Sequence, residues 1–422
     1  MNPMRLKEKI LYILMLLFFA AFFTNEGQVV TGVGISGLVL YALFFNSFKE
    51  KWALLKERKY ILAMLLFFAM LLISIQLSED KGRGFRYLDT RLPLLYFPLS
   101  IGLLNLRKEF KDRVLLGLAI ITTVVCLFCL GWALYRANGF QHPEFLYNDS
   151  LTEILGRQSI YISLLVTLSI FIYGYWAFFK GLSGNKRAAV FIAILFLYII
   201  SFLLASRNLM LVLYTLSFSF LAYYLVKRKK YLEIATVLIG ITLGAFLLFK
   251  FSPKTLNRFK ELTFTQFDYS SQGAESHYNM EVSAEQWNGA NFRLAAWPCA
   301  LELFQQKPVL GVGLGDKQHK LLEEYKKRGF QFAIDTKKNI HSNYLDVLYG
   351  TGIIAFVLFL VGWLILPIIK VFRYRDWLSL FIILTLAIAM VTEVYFDRTI
   401  GGWIVGFLIP FLLTDLKKKR QP

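Results

Sequence analysis

From Ala188 to Leu204 the chain reads AAVFIAILFLYIISFLL, and from Leu209 to Val226 it reads LMLVLYTLSFSFLAYYLV. Between the two runs stand only Ala205, Ser206, Arg207 and Asn208. Each run is long enough to cross the hydrocarbon of a bilayer, which takes roughly 17 to 20 apolar residues. A connection as tight as Ser206-Arg207-Asn208 makes the two helices turn back on each other around an arginine. Similar blocks recur near 10–23, 29–46, 60–77, 92–104, 114–134, 160–179, 231–249, 353–369, 378–394 and 402–414. The pattern predicts an all-α integral membrane protein of about twelve transmembrane helices. Leu92 to Leu104, the fourth block, is short for a full span. A hydrophobic fraction of 57%, 40 phenylalanines and a mean hydropathy of +0.53 exclude an ordinary soluble domain. The first block is followed by Thr24-Asn25-Glu26-Gly27 and not by a small-residue cleavage site, so it is read as a helix that stays.

Lysine and arginine set the orientation, because short cytoplasmic connections carry the excess of positive charge. With the N-terminus inside, the short inner connections hold 26 of the 47 Lys and Arg, from Arg5 through Lys417 to Arg420. The short outer loops hold only Lys81, Arg83, Arg86, Arg91, Arg136, Arg157, Arg207 and Arg398. Both termini are therefore expected in the cytoplasm. The inner share of the +19 net charge answers to anionic lipid headgroups and carries no message of nucleic acid. Three regions follow: residues 1–249 with helices one to nine, a polar stretch 250–352 as one large outer helical loop between helices nine and ten (periplasmic if the chain is bacterial), and 353–422 with helices ten to twelve and a basic tail.

The polar stretch holds most of the distinctive motifs. Three of the four histidines, His277, His319 and His341, lie in it. From Asn291 a helical period appears, with Arg293 near its start, and Pro298 places the helix start near Trp297 or a kink there. Asp316 is placed to cap a second helix running to Arg328, and His341 to Tyr349 reads as a short helix entering the tenth span through Gly350-Thr351-Gly352. Ser150-Leu151-Thr152-Glu153 fits a capping box after the fifth span. Gly311-Val312-Gly313-Leu314-Gly315 has no strand before it and no βαβ surroundings, so a turn is favoured over a nucleotide loop, although its amides could hold an anion. Cys126, Cys129 and Cys299 form no disulfide or zinc pattern.

Candidate chemistry rests on the arginines and one histidine. Guanidinium grips phosphate oxygens in a bidentate fork better than ammonium does. Arg91, Arg157, Arg207, Arg293 and Arg398 are all expected on one face of the membrane, where they could converge on a diphosphate. His341 stands just before a membrane helix, where an imidazole can take a proton near neutral pH. Glu393 is a rival base. No Asp-x-Asp motif or outer acidic cluster suggests a divalent metal, so guanidinium is expected to stabilise a leaving diphosphate and no cofactor is expected.

Together, Arg293 with its helix, Pro308-Val309-Leu310-Gly311-Val312-Gly313, His341-Ser342-Asn343-Tyr344-Leu345 and Gly350-Thr351-Gly352-Ile353-Ile354-Ala355 resemble the O-antigen ligase and O-antigen polymerase superfamily. Ser206-Arg207 at the tight turn and Arg91 before a short span are similar too. The specific part covers roughly residues 200 to 360. The resemblance implies a metal-independent, inverting glycosyltransferase in the bacterial inner membrane. Its donor would be an undecaprenyl-diphosphate-linked glycan, and its acceptor a hydroxyl of lipid A core or, for a polymerase, another lipid-linked repeat unit. It implies that His341 and Arg293 are catalytic and that Arg91 and Arg207 bind the donor; the arginine pattern adds Arg157 and Arg398 as second-tier donor-binding candidates. His341 would either accept the proton of the attacking hydroxyl or stabilise the departing diphosphate. The family places Asn after the histidine, where this chain has Ser342 and then Asn343.

Two other classes fit less well. A twelve-helix transporter built of two halves would show a central inner loop, but the sixth and seventh spans are joined only by Lys180 to Arg187. Its transport path would also carry charges in mid-span, and the spans are nearly free of them. A sugar transferase with its carboxylate in the first outer loop is disfavoured because that loop is only Thr24 to Gln28.

Overall fold

The computed structural model describes residues 4–23, 28–138, 141–229, 232, 259–273, 275–276 and 286–416. The expected ninth span at 231–249 apart from Leu232, the residues Thr24 to Gly27, His277, much of 250–285 and the basic tail at Lys417 to Arg420 lie outside them. Among the described residues the structure is helical, with one isolated bridge between Glu275 and Trp287 and no named strand. The all-α membrane class is thereby met. Among the described residues, five helices are long and apolar enough to cross a membrane: Lys59–Gln76, Lys108–Arg136, Ser159–Phe179, Gly184–Leu203 and Asn343–Arg373. A sixth arises if Gly32–Phe45 and Phe48–Glu57, bent by 91°, count as one. Arg207–Ala222, Trp377–Thr392 and Thr399–Leu412 are apolar but shorter. The block expected as a fourth span is the 8-residue helix Pro93–Ser100. At 1.5 Å per residue it reaches about 12 Å, well short of a hydrocarbon core of roughly 30 Å.

The chain divides into two compact units, Met1–Val125 with Ala295–Pro422, and Cys126–Leu294. In the first unit the Thr399–Leu412 helix packs on Pro93–Ser100 through glycines. A Cβ on Gly402 would stand 2.4 Å from the Thr90 carbonyl oxygen, and one on Gly406 would stand 2.8 Å from that of Pro93. Phe18, Phe97 and Phe407 fill the adjoining core with ring centroids 5.0–5.4 Å apart, a spacing that favours edge and tilted aromatic pairs. Arg58 is buried and donates to the carbonyls of Gly102, Leu104 and Thr414, which ties three segment ends together.

The Asn343–Phe359 helix is broken at Gly352, which has φ 79° and ψ 178°. That conformation is open almost only to glycine. The Pro308–Gly315 loop is bonded along the break. Val312 and Gly313 donate to the carbonyls of Tyr349 and Gly350 (2.9 and 3.1 Å), and Ile353 donates to that of Pro308 (2.9 Å). Leu314 and Gly315 donate to the hydroxyls of Ser74 and Ser78. The turn reading of the three glycines therefore holds. The option of an anion on their amides does not, since protein oxygens already accept from Val312, Gly313, Leu314 and Gly315.

Three local expectations are revised. The helix at Arg293 starts at Gly289 and runs through Pro298 to Gln306, because the Asn288 side chain accepts from Ala290 and Asn291 and so caps it earlier. Asp316 stands at the N-cap of Lys317–Lys327 without a side-chain cap bond; its carboxylate accepts from the amides of Glu79 and Asp80 instead. Ser150 does not cap a helix. It lies inside the short turn Asn148–Leu151, and Asp149 accepts from the Ser159 amide at 2.6 Å, which caps the next span.

In the second unit the Ser159–Phe179 helix packs against both Gly184–Leu203 and Arg207–Arg228. The tight turn forms as expected. One helix ends at Leu203, Ala205 takes φ 50°, and the next helix begins at Arg207 itself.

Candidate functional site

In the first unit, His341 adopts φ 46° directly before the helix that Ser342 caps. Its amide donates to the Asn339 side chain at 3.0 Å. Its ring Nδ1 lies 3.1 Å from Glu393 Oε2, and the two side chains are 27% and 14% exposed. Glu393 follows the Trp377–Thr392 helix in extended backbone, at the head of a connection to the Thr399–Leu412 helix. That connection is pinned twice: Phe396 donates its amide to Asn343 Oδ1 (3.0 Å), and its carbonyl accepts from the Thr90 hydroxyl (2.8 Å). A carboxylate on one imidazole nitrogen orients the ring, the arrangement a general base requires.

Arg91 is in a different setting from the open anion site expected of it. It is 1% exposed, and its Nη2 meets Asp346 Oδ2 at 3.0 Å and Asp397 Oδ1 at 2.7 Å. Lys317, equally buried, meets Asp346 Oδ1 at 2.5 Å and Asp397 at 2.7 and 2.8 Å. The Tyr87 ring faces both cations, 5.6 Å from Arg91 Cζ and 4.4 Å from Lys317 Nζ. Two cations and two carboxylates thus close a balanced buried cluster. Burial raises the Asp397 carboxyl, but Lys317 and Arg91 outweigh it and hold the group below the ordinary carboxylate range. Arg398 is exposed and stands at the N-cap of the Thr399–Leu412 helix.

In the second unit, Arg207 and Arg293 converge on Gly289. Arg293 donates Nη1 to the Gly289 carbonyl, one turn back along its own helix. A Cβ on Gly289 would stand 2.7 Å from Arg207 Nη2 and 2.8 Å from Arg293 Nη1. Arg207 Nη1 also meets Glu261 Oε2 at 2.7 Å. Both guanidinium groups thus stand near the N-terminus of the Gly289–Gln306 helix, where the backbone dipole attracts an anion. Arg157, the third candidate arginine in this unit, is half-buried just before the Ser159–Phe179 helix, and burial lowers it from its ordinary value. Among the described residues, no three His, Cys, Asp or Glu side chains are grouped to hold a metal ion.

Residues 188–360 match the family model described as O-antigen ligase. Over that segment, 173 of the 422 residues, the chain is similar to the O-antigen ligase family. No curated protein matches it. Members of the O-antigen ligase family are glycosyltransferase-like enzymes, ligases and polymerases, that work in a membrane on lipid-linked glycans. Three of the six expected site residues, Arg207, Arg293 and His341, fall inside the matched segment, whereas Arg91, Arg157 and Arg398 fall outside it, as does the rival base Glu393. Sequence reading named Glu393, but it missed Lys317 and Asp346. A carboxylate among the apolar residues of Asn343–Phe359 was the available signal for Asp346. Lys317 looked like any lysine of a surface helix.

Proposed function

We propose that the protein transfers a glycan from undecaprenyl diphosphate to an acceptor hydroxyl of lipid A core, at the periplasmic face of the bacterial inner membrane. About twelve membrane segments, with Pro93–Ser100 too short a helix to cross by itself, both termini in the cytoplasm and the 250–352 segment outside belong to this reading. The acceptor oxygen bonds to the anomeric carbon as the bond from that carbon to the diphosphate oxygen breaks, so the centre inverts. The proton of the hydroxyl passes to the His341 imidazole, which Glu393 orients. The diphosphate departs with the electron pair, and its charge is met by Arg207 and Arg293. Arg157 and Arg398 are assigned to supporting contacts with the donor. Arg91 is assigned to holding Asp346 and Asp397, in place of the donor contact first expected of it.

The observation that carries the reading is the His341–Glu393 pair at 3.1 Å, with its histidine inside the family-matched segment. Purified protein given a lipid-linked glycan and lipid A core tests it. Loss of a general base lowers rates by about 10²–10⁴-fold, so His341→Ala is expected to fall in that range, and Arg293→Ala to lose turnover comparably. Full transfer by either variant sinks the assignment. The lipopolysaccharide of a deletion strain separates ligase from polymerase: uncapped core with polymer left on its carrier marks a ligase, and core bearing a single repeat marks a polymerase.

A further inference from the structure

The Arg91 cluster does more than neutralise itself. Asp346 lies five residues after His341, and Asp397 lies four residues after Glu393. Each carboxylate therefore belongs to a segment that carries one half of the histidine–glutamate pair. Both are gripped by the same two cations: Lys317 reaches Asp346 at 2.5 Å and Asp397 at 2.7 Å, and Arg91 reaches them at 3.0 and 2.7 Å. The Glu393 side has two further fasteners, Thr90 to the Phe396 carbonyl and the Phe396 amide to Asn343. These bonds all run between segments far apart in the chain, so they fix the offset of one segment against the other. A buried ion cluster adds little net stability compared with apolar packing of the same volume, but it has one geometry in which every charge is met. Apolar side chains would tolerate a slip along the segment axis, and salt bridges of this length do not.

We infer that Asp397, held by Lys317 and Arg91, is a positioning residue for the transfer reaction. It sets where the Glu393 carboxylate stands and, through it, how the His341 ring faces the acceptor hydroxyl. This inference rests on the reading of His341 and Glu393 as the reacting pair. On this inference the cluster acts through Glu393 and takes no direct part in binding glycan or diphosphate. Its effect is on turnover and not on donor affinity.

The test is a charge-balanced double substitution, Lys317→Met with Asp397→Asn, in the full-length protein reconstituted in lipid nanodiscs. Arg91 and Asp346 remain as a matched pair, so no buried charge is orphaned. Misplacing a catalytic group by about 1 Å costs on the order of 10²-fold. The expected result is a cooperative thermal transition, a KM for the lipid-linked donor close to that of the unsubstituted protein, and a kcat lowered roughly 10- to 100-fold. Wild-type kcat in the double variant, with His341→Ala inactive in the same assay, overturns the positioning role and leaves the reacting pair standing. A raised KM with unchanged kcat overturns it too. Full activity in His341→Ala removes the pair and the inference together. If the double variant yields no monodisperse protein, Thr90→Val removes only the hydroxyl that holds the Phe396 carbonyl. A several-fold loss of kcat at constant KM is then the expected result, and an unchanged kcat overturns the inference.

Discussion

Two buried ion clusters occupy opposite ends of the same two helices, and they are built differently. The Trp377–Thr392 helix rises about 24 Å over its 16 residues, with Asp376 capping its start and Asp397 in the connection beyond its end. At the start, Lys111 Nζ meets Asp376 at 2.6 Å and Asp415 at 2.7 Å, with the Leu412 carbonyl and Ser379 hydroxyl nearby. One cation there serves two carboxylates. At the other end, two cations serve two carboxylates, and the segments they join lead to His341 and Glu393. The Lys111 cluster joins helix ends that carry none of the proposed site residues. Ion pairing of similar lengths thus acts as a staple at one end and, on the present inference, as a bracket for chemistry at the other.

The comparison breaks if the two ends respond alike to substitution. Lys111→Met has the largest expected effect on stability, because it leaves two buried carboxylates with no cation. Removing one partner of a buried pair costs about 3–5 kcal/mol. The melting temperature in detergent is expected to fall steeply, while transfer per folded molecule stays at the wild-type level. A large loss of kcat in the surviving folded fraction would show that the staple also reaches the chemistry. Gly352→Ala comes next. Its backbone conformation costs about 1–3 kcal/mol for a residue with a side chain, and its Cβ would stand 2.2 Å from the Val309 carbonyl oxygen. The break at Gly352 lets the segment bearing Asp346 dock against the Pro308–Gly315 loop. This substitution is therefore expected to lower both melting temperature and turnover, measured on the same preparation. Stability loss without loss of turnover would detach the break from the bracket.

What was legible in the sequence follows from how far apart the partners lie. The turn at Ser206 is local, and so is the start of a helix after His341; apolar periodicity and a capping serine are enough to find both. Glu393 was found as a carboxylate beside a membrane segment, without its partner. Arg91 was singled out correctly as unusual and given the wrong neighbours. Its actual partners, Asp346 and Asp397, lie 255 and 306 residues away, and no periodicity encodes a pairing over that distance. Lys111 shows the same limit from the other direction. It added to the positive-inside count as one more inner lysine, whereas it is 1% exposed. Pro298 misled because proline alone argues for a break, while the cap that decides the helix start sits ten residues earlier at Asn288.

Acid gives the finest separation of the two ends. Burial raises the Asp415 carboxyl above its ordinary range, with Lys111 opposing and Asp376 adding to the rise. Asp397 is lowered, because Lys317 and Arg91 overcome its burial. A raised carboxyl binds a proton in the folded state before it does in the unfolded chain, whose value is about 3.9. Between those two values the folded state holds more protons, so the Asp415 contribution to stability grows as pH falls. Asp397 gives the opposite sign: its contribution is complete above about pH 3.9 and is lost only as pH drops through its lowered folded value. Across the window where Asp415 titrates, Asp397 is therefore silent. Thermal unfolding of wild type and Asp415→Asn, followed from neutral pH down to about pH 4, isolates the first term. The stability of wild type relative to the variant is expected to increase on acidification, by at most about 1.4 kcal/mol per pH unit for one proton. A difference that stays flat would place Asp415 in the same electrostatic condition as Asp397, and the two clusters would then be equivalent in charge balance despite their unequal count of cations.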